Sequence, residues 1–250
     1  MARQRRLGGE SVYPINRRES FLFLAGLGGY AATTTTDTWA QSRVVVDDST
    51  SEITPVYVAT HNEAHSSVFV RADFYFHDIG KDVELLPGAS INVNGIELQR
   101  DPKEPVSYIG NVPMLNGPLT FEFARTPGRV VKHSIVLPEL EIVELPRSYR
   151  KGGTLTVRAE PRPPRAEVSR DVYRMAIHAG SIYYPFDRKL TTERGIVFDP
   201  IHKKIEIPVG YAKADIFRQQ RTPLKNLSSE LQSGWVVASR SRDFEIEVID

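Results

Sequence analysis

Ser90-Ile91-Asn92-Val93-Asn94-Gly95-Ile96-Glu97-Leu98 sets Asn-Gly between two short runs in which apolar and polar residues alternate. Both central residues of a type I′ turn need positive φ, which Gly adopts freely and Asn tolerates, so this stretch predicts a tight β-hairpin. Thr126-Pro127-Gly128-Arg129 predicts a second one, with Pro presetting φ and Gly supplying the permissive position. Leading into it, Leu119-Thr120-Phe121-Glu122-Phe123-Ala124-Arg125 carries apolar residues on odd positions and mostly polar ones on even positions. That is a strand with one face buried and one face wet. The segment from Val68 to Phe76 is denser in apolar residues, as befits a strand through the middle of a sheet.

Working outward, the first half predicts strands at 55–60, 67–76, 90–93, 96–99, 107–112, 119–125 and 130–137. The second half predicts them at 140–145, 154–159, 172–178, 195–198, 204–208, 212–218, 235–239 and 244–249. No apolar repeat of 3.6 residues is long enough for a substantial helix; only Leu224, Leu227 and Leu231 mark one short helical face, with Gly234 as its stop. Glu160-Pro161-Arg162-Pro163-Pro164-Arg165 is too rich in proline to pair in a sheet and is expected as a loop. Leu137-Pro138 closes one strand and Leu140 opens the next, so the expected division is a β-sandwich at 41–138 and a second one at 139–250. The fold class expected is therefore all-β, two tandem immunoglobulin-like antiparallel sandwiches after an N-terminal segment.

Residues 1–40 differ from the rest. Arg3, Arg5, Arg6, Arg17 and Arg18 precede an apolar run from Phe21 to Ala32, and four threonines follow it. Basic, apolar, then small is the order of a signal peptide, with cleavage expected after Ala40; the alternative is a disordered extension. Twelve residues with three glycines fall short of the roughly 20 apolar residues that span hydrocarbon, so no integral membrane span is expected. Arg17-Arg18-Glu19-Ser20-Phe21-Leu22 resembles a twin-arginine export signal. Leu24-Ala25-Gly26 resembles a lipobox, but Leu27 stands where the acylated Cys would be, which argues against a lipoprotein. These features predict a periplasmic or secreted protein.

Composition sets further bounds. With 32 Lys+Arg, 31 Asp+Glu and no Cys among 250 residues, the chain has no net field to draw nucleic acid, no disulfide, no thiolate zinc site and no Cys nucleophile. No nucleic-acid partner is expected. The run from Val83-Glu84-Leu85 through the Asn94-Gly95 hairpin, Tyr108 to Val112-Pro113, Phe121 to Arg125 and Ser134 to Pro138, then Thr154-Leu155-Thr156-Val157, resembles uncharacterised bacterial exported proteins, often lipoproteins. Their tandem immunoglobulin-like modules imply an envelope protein partner, and the resemblance brings no catalytic residue.

Several constellations were weighed for chemistry. On an extended strand His61, Glu63 and His65 would face one way, with His77 in reach, an adequate first shell for zinc; a solvated turn is the plainer alternative. No Gly-x-Ser-x-Gly occurs around Ser181 or Ser233, and His133 and His178 fall in strands. Asp73, Asp78, Asp187 and Asp199 are acids without a visible pairing. Arginines at 147–151, 158–170 and 218–221 lie near Tyr149, Tyr173 and Phe217, which would suit a polyanion or glycan if they shared one face. Trp235 and Tyr211 read as core residues, and Tyr183-Tyr184-Pro185-Phe186 as a loop that caps the core or forms an exposed patch. No catalytic, cofactor or metal residue is assigned. The function expected is a non-catalytic envelope interaction module, with a metal-dependent or other hydrolase, or a polyanion- or glycan-binding module, as alternatives.

Overall fold

Eighteen strands, and no helix among the described residues, follow one another along the chain in a computed structural model. It describes residues 44–45, 53–76, 81–104, 106–126, 128–161, 170–201, 206–224, 231 and 233–250. The first ten strands are β1 (Val44–Val45), β2 (Ile53–Asn62), β3 (Ser67–Phe76), β4 (Lys81–Glu84), β5 (Ser90–Val93), β6 (Ile96–Glu97), β7 (Gln99–Arg100), β8 (Ser107–Pro113), β9 (Leu119–Thr126) and β10 (Arg129–Ile135). They are followed by β11 (Glu141–Glu144), β12 (Ser148–Arg150), β13 (Leu155–Glu160), β14 (Asp171–Ala179), β15 (Ile182–Thr192), β16 (Gly195–Pro200), β17 (Gly210–Pro223) and β18 (Trp235–Ile249).

Two sheets result. The smaller has the order β10-β9-β5-β6. The larger runs β1-β4-β3-β2-β18-β17-β14-β15-β16-β13-β11, with β8 and β7 laid on β3 and β12 on β18, and its order does not close into a barrel. The sheets face each other across one apolar cluster, where Tyr57 of β2 stacks on Phe121 of β9 (centroids 4.5 Å apart) and Phe74 of β3 meets Phe123 (4.7 Å). A second cluster, from Leu140 to Val248, fills the hollow of the large sheet around Tyr149, Tyr173, Tyr184, Phe186 and Phe198. Leu224, Leu231, Val236 and Ala238 return to the first cluster, so β18 serves both.

Local chemistry explains the hairpin at its centre. Asn94 and Gly95 take φ of 52° and 82°, the two positive values the turn requires, and Asn94 Oδ1 accepts from Thr120 N–H at 2.8 Å. The strand expected at 96–99 is broken at Leu98: β6 pairs with β5 in the small sheet, whereas β7 pairs with β8 in the large one. Buried Leu98 makes the corner, and its side chain lies where a Cβ on Gly110 would come within 2.9 Å.

Other expectations are corrected. Tyr183-Tyr184-Pro185-Phe186 is not a loop but lies in β15, paired on both sides; Tyr184 and Phe186 point into the second cluster, and Pro185 keeps its carbonyl, which accepts from Ile201 N–H. The separate strands at 235–239 and 244–249 are one strand of 15 residues. Glu206–208 is not a strand, and 202–205 lie outside the described residues. The strands β1, β4, β12 and β15 were not expected. The expected signal segment at 1–40, His77, Asp78, the loop at 162–165 and the helical stretch at 225–230 also lie outside the described residues.

Candidate functional site

Tyr211 sits near the start of β17 with 85% of its surface exposed, although its neighbour Ala212 belongs to the second cluster. Successive strand residues face opposite sides, so the tyrosine is turned outward by the same pleat that turns Ala212 inward. The expectation that Tyr211 is core is thereby corrected. It overhangs an open cleft of about 390 Å³ lined by Leu145, Pro146, Arg147, Phe244, Glu245 and Glu247. Val209, two residues earlier, is exposed, and so is Val143 (53%) on β11, which among the described residues has a neighbouring strand on one side only. An aromatic with a polar tip, a leucine, a proline, a phenylalanine, an arginine and two glutamates around a shallow depression form a surface that offers apolar contact area and charge of both signs.

Of the histidine constellation, His61, Glu63 and His65 form no three-ligand set, and His77 lies outside the described residues. His61 ends β2 and is buried, its Nε2 within 3.1 Å of the His65 carbonyl; Glu63 has already entered the turn, 3.9 Å from Arg242 Nε. The turn ends the alternation that would have put 61, 63 and 65 on one face. Among the described residues no group of three or more His, Asp or Glu is arranged to hold a metal ion. His133 is packed against Tyr57 in the first cluster, both ring nitrogens enclosed without a partner, and burial lowers its pKa.

The acids divide as well. Asp73 is clamped by Arg71 Nε at 2.8 and 2.9 Å, while burial raises its pKa against that pairing. Asp187 and Asp199 face each other across β15 and β16, each with its own cation, Arg174 at 3.1 Å and Lys189 at 3.0 Å. One acid the sequence did not single out is Asp215, buried on β17, 3.6 Å from His178 Nε2 on β14 and opposite Asp243 on β18. Burial raises its pKa, and its Oδ1 is enclosed without a hydrogen bond. Its only sequence signal was a lone acid in an apolar strand, Ala214-Asp215-Ile216.

The arginines and aromatics do meet, but on both faces. Arg218 lies over Tyr173 at 5.3 Å on the side of the second cluster, whereas Arg221 lies over Trp235 at 4.4 Å on the other side, with Arg170 at 5.9 Å from the same ring. Trp235 is half-buried by this stack rather than a core residue. No helix among the described residues is long and apolar enough to cross a membrane. Compared with known family models and with curated proteins, the chain matches none.

Proposed function

We propose that this chain is a non-catalytic interaction module of the bacterial envelope or of the secreted fraction, built as two tandem immunoglobulin-like sandwiches and holding a protein partner on the surface around Tyr211. The observation that carries the reading is the 85% exposure of Tyr211 above the cleft of Pro146, Arg147 and Phe244. A tyrosine left this bare on a rigid strand costs solvation and gains nothing in the isolated fold; such residues, with arginine beside them, supply most of the energy in protein interfaces. The side of β11 that has no neighbour among the described residues, with Val143, adds backbone groups that a partner strand can meet. The basic, apolar and small-residue order of 1–40 supports export.

A photo-crosslinking amino acid in place of Tyr211, with another at exposed Leu115 of the first half as control, tests the surface in the native cell. One envelope protein cross-linked at 211 and absent at 115 is the expected result. Equal patterns at both positions overturn the reading. Fractionation with mass spectrometry of the mature N-terminus tests export: a chain starting near Gln41 outside the cytoplasm is expected, and an intact N-terminus in the cytosol refutes it.

A further inference from the structure

Arg188, on β15, is only 7% exposed, and both terminal nitrogens of its guanidinium are enclosed without a hydrogen-bond partner among the described residues. A guanidinium does not shed its proton in a protein, and burying one unpaired is far more costly than burying one that is paired. The neighbouring acid, Asp171, makes no hydrogen bond to either of those nitrogens. Asp171 feels the Arg188 charge, yet its Oδ1 takes Arg218 Nε at 2.9 Å and its Oδ2 takes Arg218 Nη2 at 2.7 Å and Gln220 Nε2 at 3.2 Å.

Strand registers place two further arginines in line with Arg188. Tyr173 of β14 faces Arg218 of β17, and Arg218 faces Arg240 of β18, so these three share one row on one side of the sheet. Arg188 stands one step beyond the last β14–β15 pair, Arg174 with Asp187, on the side that Tyr184 and Phe186 turn to the core. Arg240 Nε is likewise enclosed without a partner. Three guanidiniums thus lie along four adjacent strands; besides Asp171, Glu139 acts on Arg218 and Glu160 on Tyr173, but none of these carboxylates is hydrogen-bonded to the terminal nitrogens of Arg188, and like charges along such a row repel unless a counter-charge lies between them.

We propose that this row is a binding site for a small oxyanion, a phosphate or carboxylate group held bidentately by the two free terminal nitrogens of Arg188, with Arg240 at the other end of the row supplying further positive charge. The planar fork of arginine matches both anions, and the enclosed setting strengthens the pairing. The proposal is independent of the Tyr211 surface, which faces outward.

The test uses the full chain in a chloride buffer free of other oxyanions, titrated with inorganic phosphate and, separately, with succinate, by calorimetry and by thermal melting. Wild type, Arg188→Met and Arg240→Met are compared. Saturable one-site binding with a rise in Tm is expected; phosphate alone, or succinate alone, identifies which group the site takes. Arg188→Met weakens the apparent Kd about tenfold or more, since a bidentate charge-assisted pair is lost. Without added anion it melts at or above the wild-type temperature, because an unpaired buried charge has been removed. Arg240→Met, at a half-buried position, weakens binding while leaving the fold in place. Absence of saturable binding of either anion to wild type overturns the proposal, as does an equal response in Arg188→Met, or an Arg188→Met chain that melts lower or fails to fold in anion-free buffer.

Discussion

Arg218→Met removes a single guanidinium that ties three segments together where the two apolar clusters meet. Nε and Nη2 donate to the two oxygens of Asp171 at 2.9 and 2.7 Å, and Nη1 donates to the Glu139 carbonyl at 2.8 Å, on the stretch that leads from one cluster to the next. Methionine keeps the length of the side chain and much of its contact with Tyr173, so charge and hydrogen bonds are what is lost. Stranding a buried ionic partner costs about 3–5 kcal/mol. Here the Asp171 side chain is 23% exposed, keeps Gln220 at 3.2 Å and sits in the field of Arg188, so part is recovered. The expected loss is about 2–4 kcal/mol, a fall in Tm of roughly 4–16 °C for a chain of this size. Burial works against the Asp171 carboxylate, but the bonds from Arg218 and Gln220 outweigh it and hold its pKa below the usual range. A carboxyl with a depressed native pKa contributes its full stability above the unfolded value of about 3.9 and loses it as pH falls through the native value. Thermal melts of Arg218→Met, Asp171→Asn and the double variant, at neutral pH and at low pH, measure both effects. Single-variant losses that add to the double within about 0.5 kcal/mol would show that the pair is not coupled, and the reasoning would fail.

Three further outcomes follow from the packing. Phe121→Ala opens a cavity beneath the Tyr57 ring and costs about 3–5 kcal/mol, visible as a lower urea midpoint at unchanged slope; a loss under about 1 kcal/mol contradicts the stacking. Gly195→Ala puts a Cβ 2.5 Å from the Val157 carbonyl at φ +144°, whereas Gly88→Ala, at φ +97°, meets open space. The first lowers Tm well beyond the second, which shows backbone strain alone, about 1–3 kcal/mol; equal effects refute the clash. His133 is held neutral by burial, so stability is full above the unfolded pKa of about 6.5 and falls below it as the unfolded chain takes a proton that the folded chain resists. His133→Phe flattens the slope of Tm between about pH 7 and pH 5, and an unchanged slope assigns that dependence to other groups.

Ser67–Phe76 and Ser90–Val93 fall where the sequence puts them, because their chemistry is local: alternation for the strands, Asn94-Gly95 for the turn. What the sequence hid was set by neighbours distant along the chain. β15 was invisible because Pro185 and the charged run Asp187-Arg188-Lys189 interrupt the apolar alternation, yet Tyr184 and Phe186 still fall on one face once β14 and β16 flank them. Tyr211 and Trp235 sit in strands as expected, but which face each presents depends on pairings with Glu247 and Pro223 that no single segment records. His61, Glu63 and His65 looked convergent only while the strand was assumed to continue; the turn at Glu63 separates them. Asp171 with Arg218, 47 residues apart, had no sequence signal of their joining.

The run Ser239-Arg240-Ser241-Arg242-Asp243 shows why the sequence divides one strand into two. Its polarity separates 235–239 from 244–249 in any local reading, as a loop would. In the fold it is the middle of β18, laddered to β17 across the whole length of that strand. Val236 and Ala238 face the first cluster, Ile246 and Val248 the second, and a strand passing from one apolar cluster to another must cross a stretch where its inward face meets neither. Ser239, Arg242 and Asp243 are tolerated there because partners come from β2 and the turn that follows it: Asn62 donates to Asp243 at 3.0 Å, Glu63 lies near Arg242, and Ser239 donates to Thr60 at 3.0 Å. The same ladder that continues through this polar stretch makes the backbone of β18 common to both clusters, with β17 hydrogen-bonded along it. Opening either one exposes hydrogen bonds on which the other rests, so a perturbation at the junction is felt on both sides, while a solvated loop at the same place would have kept them apart.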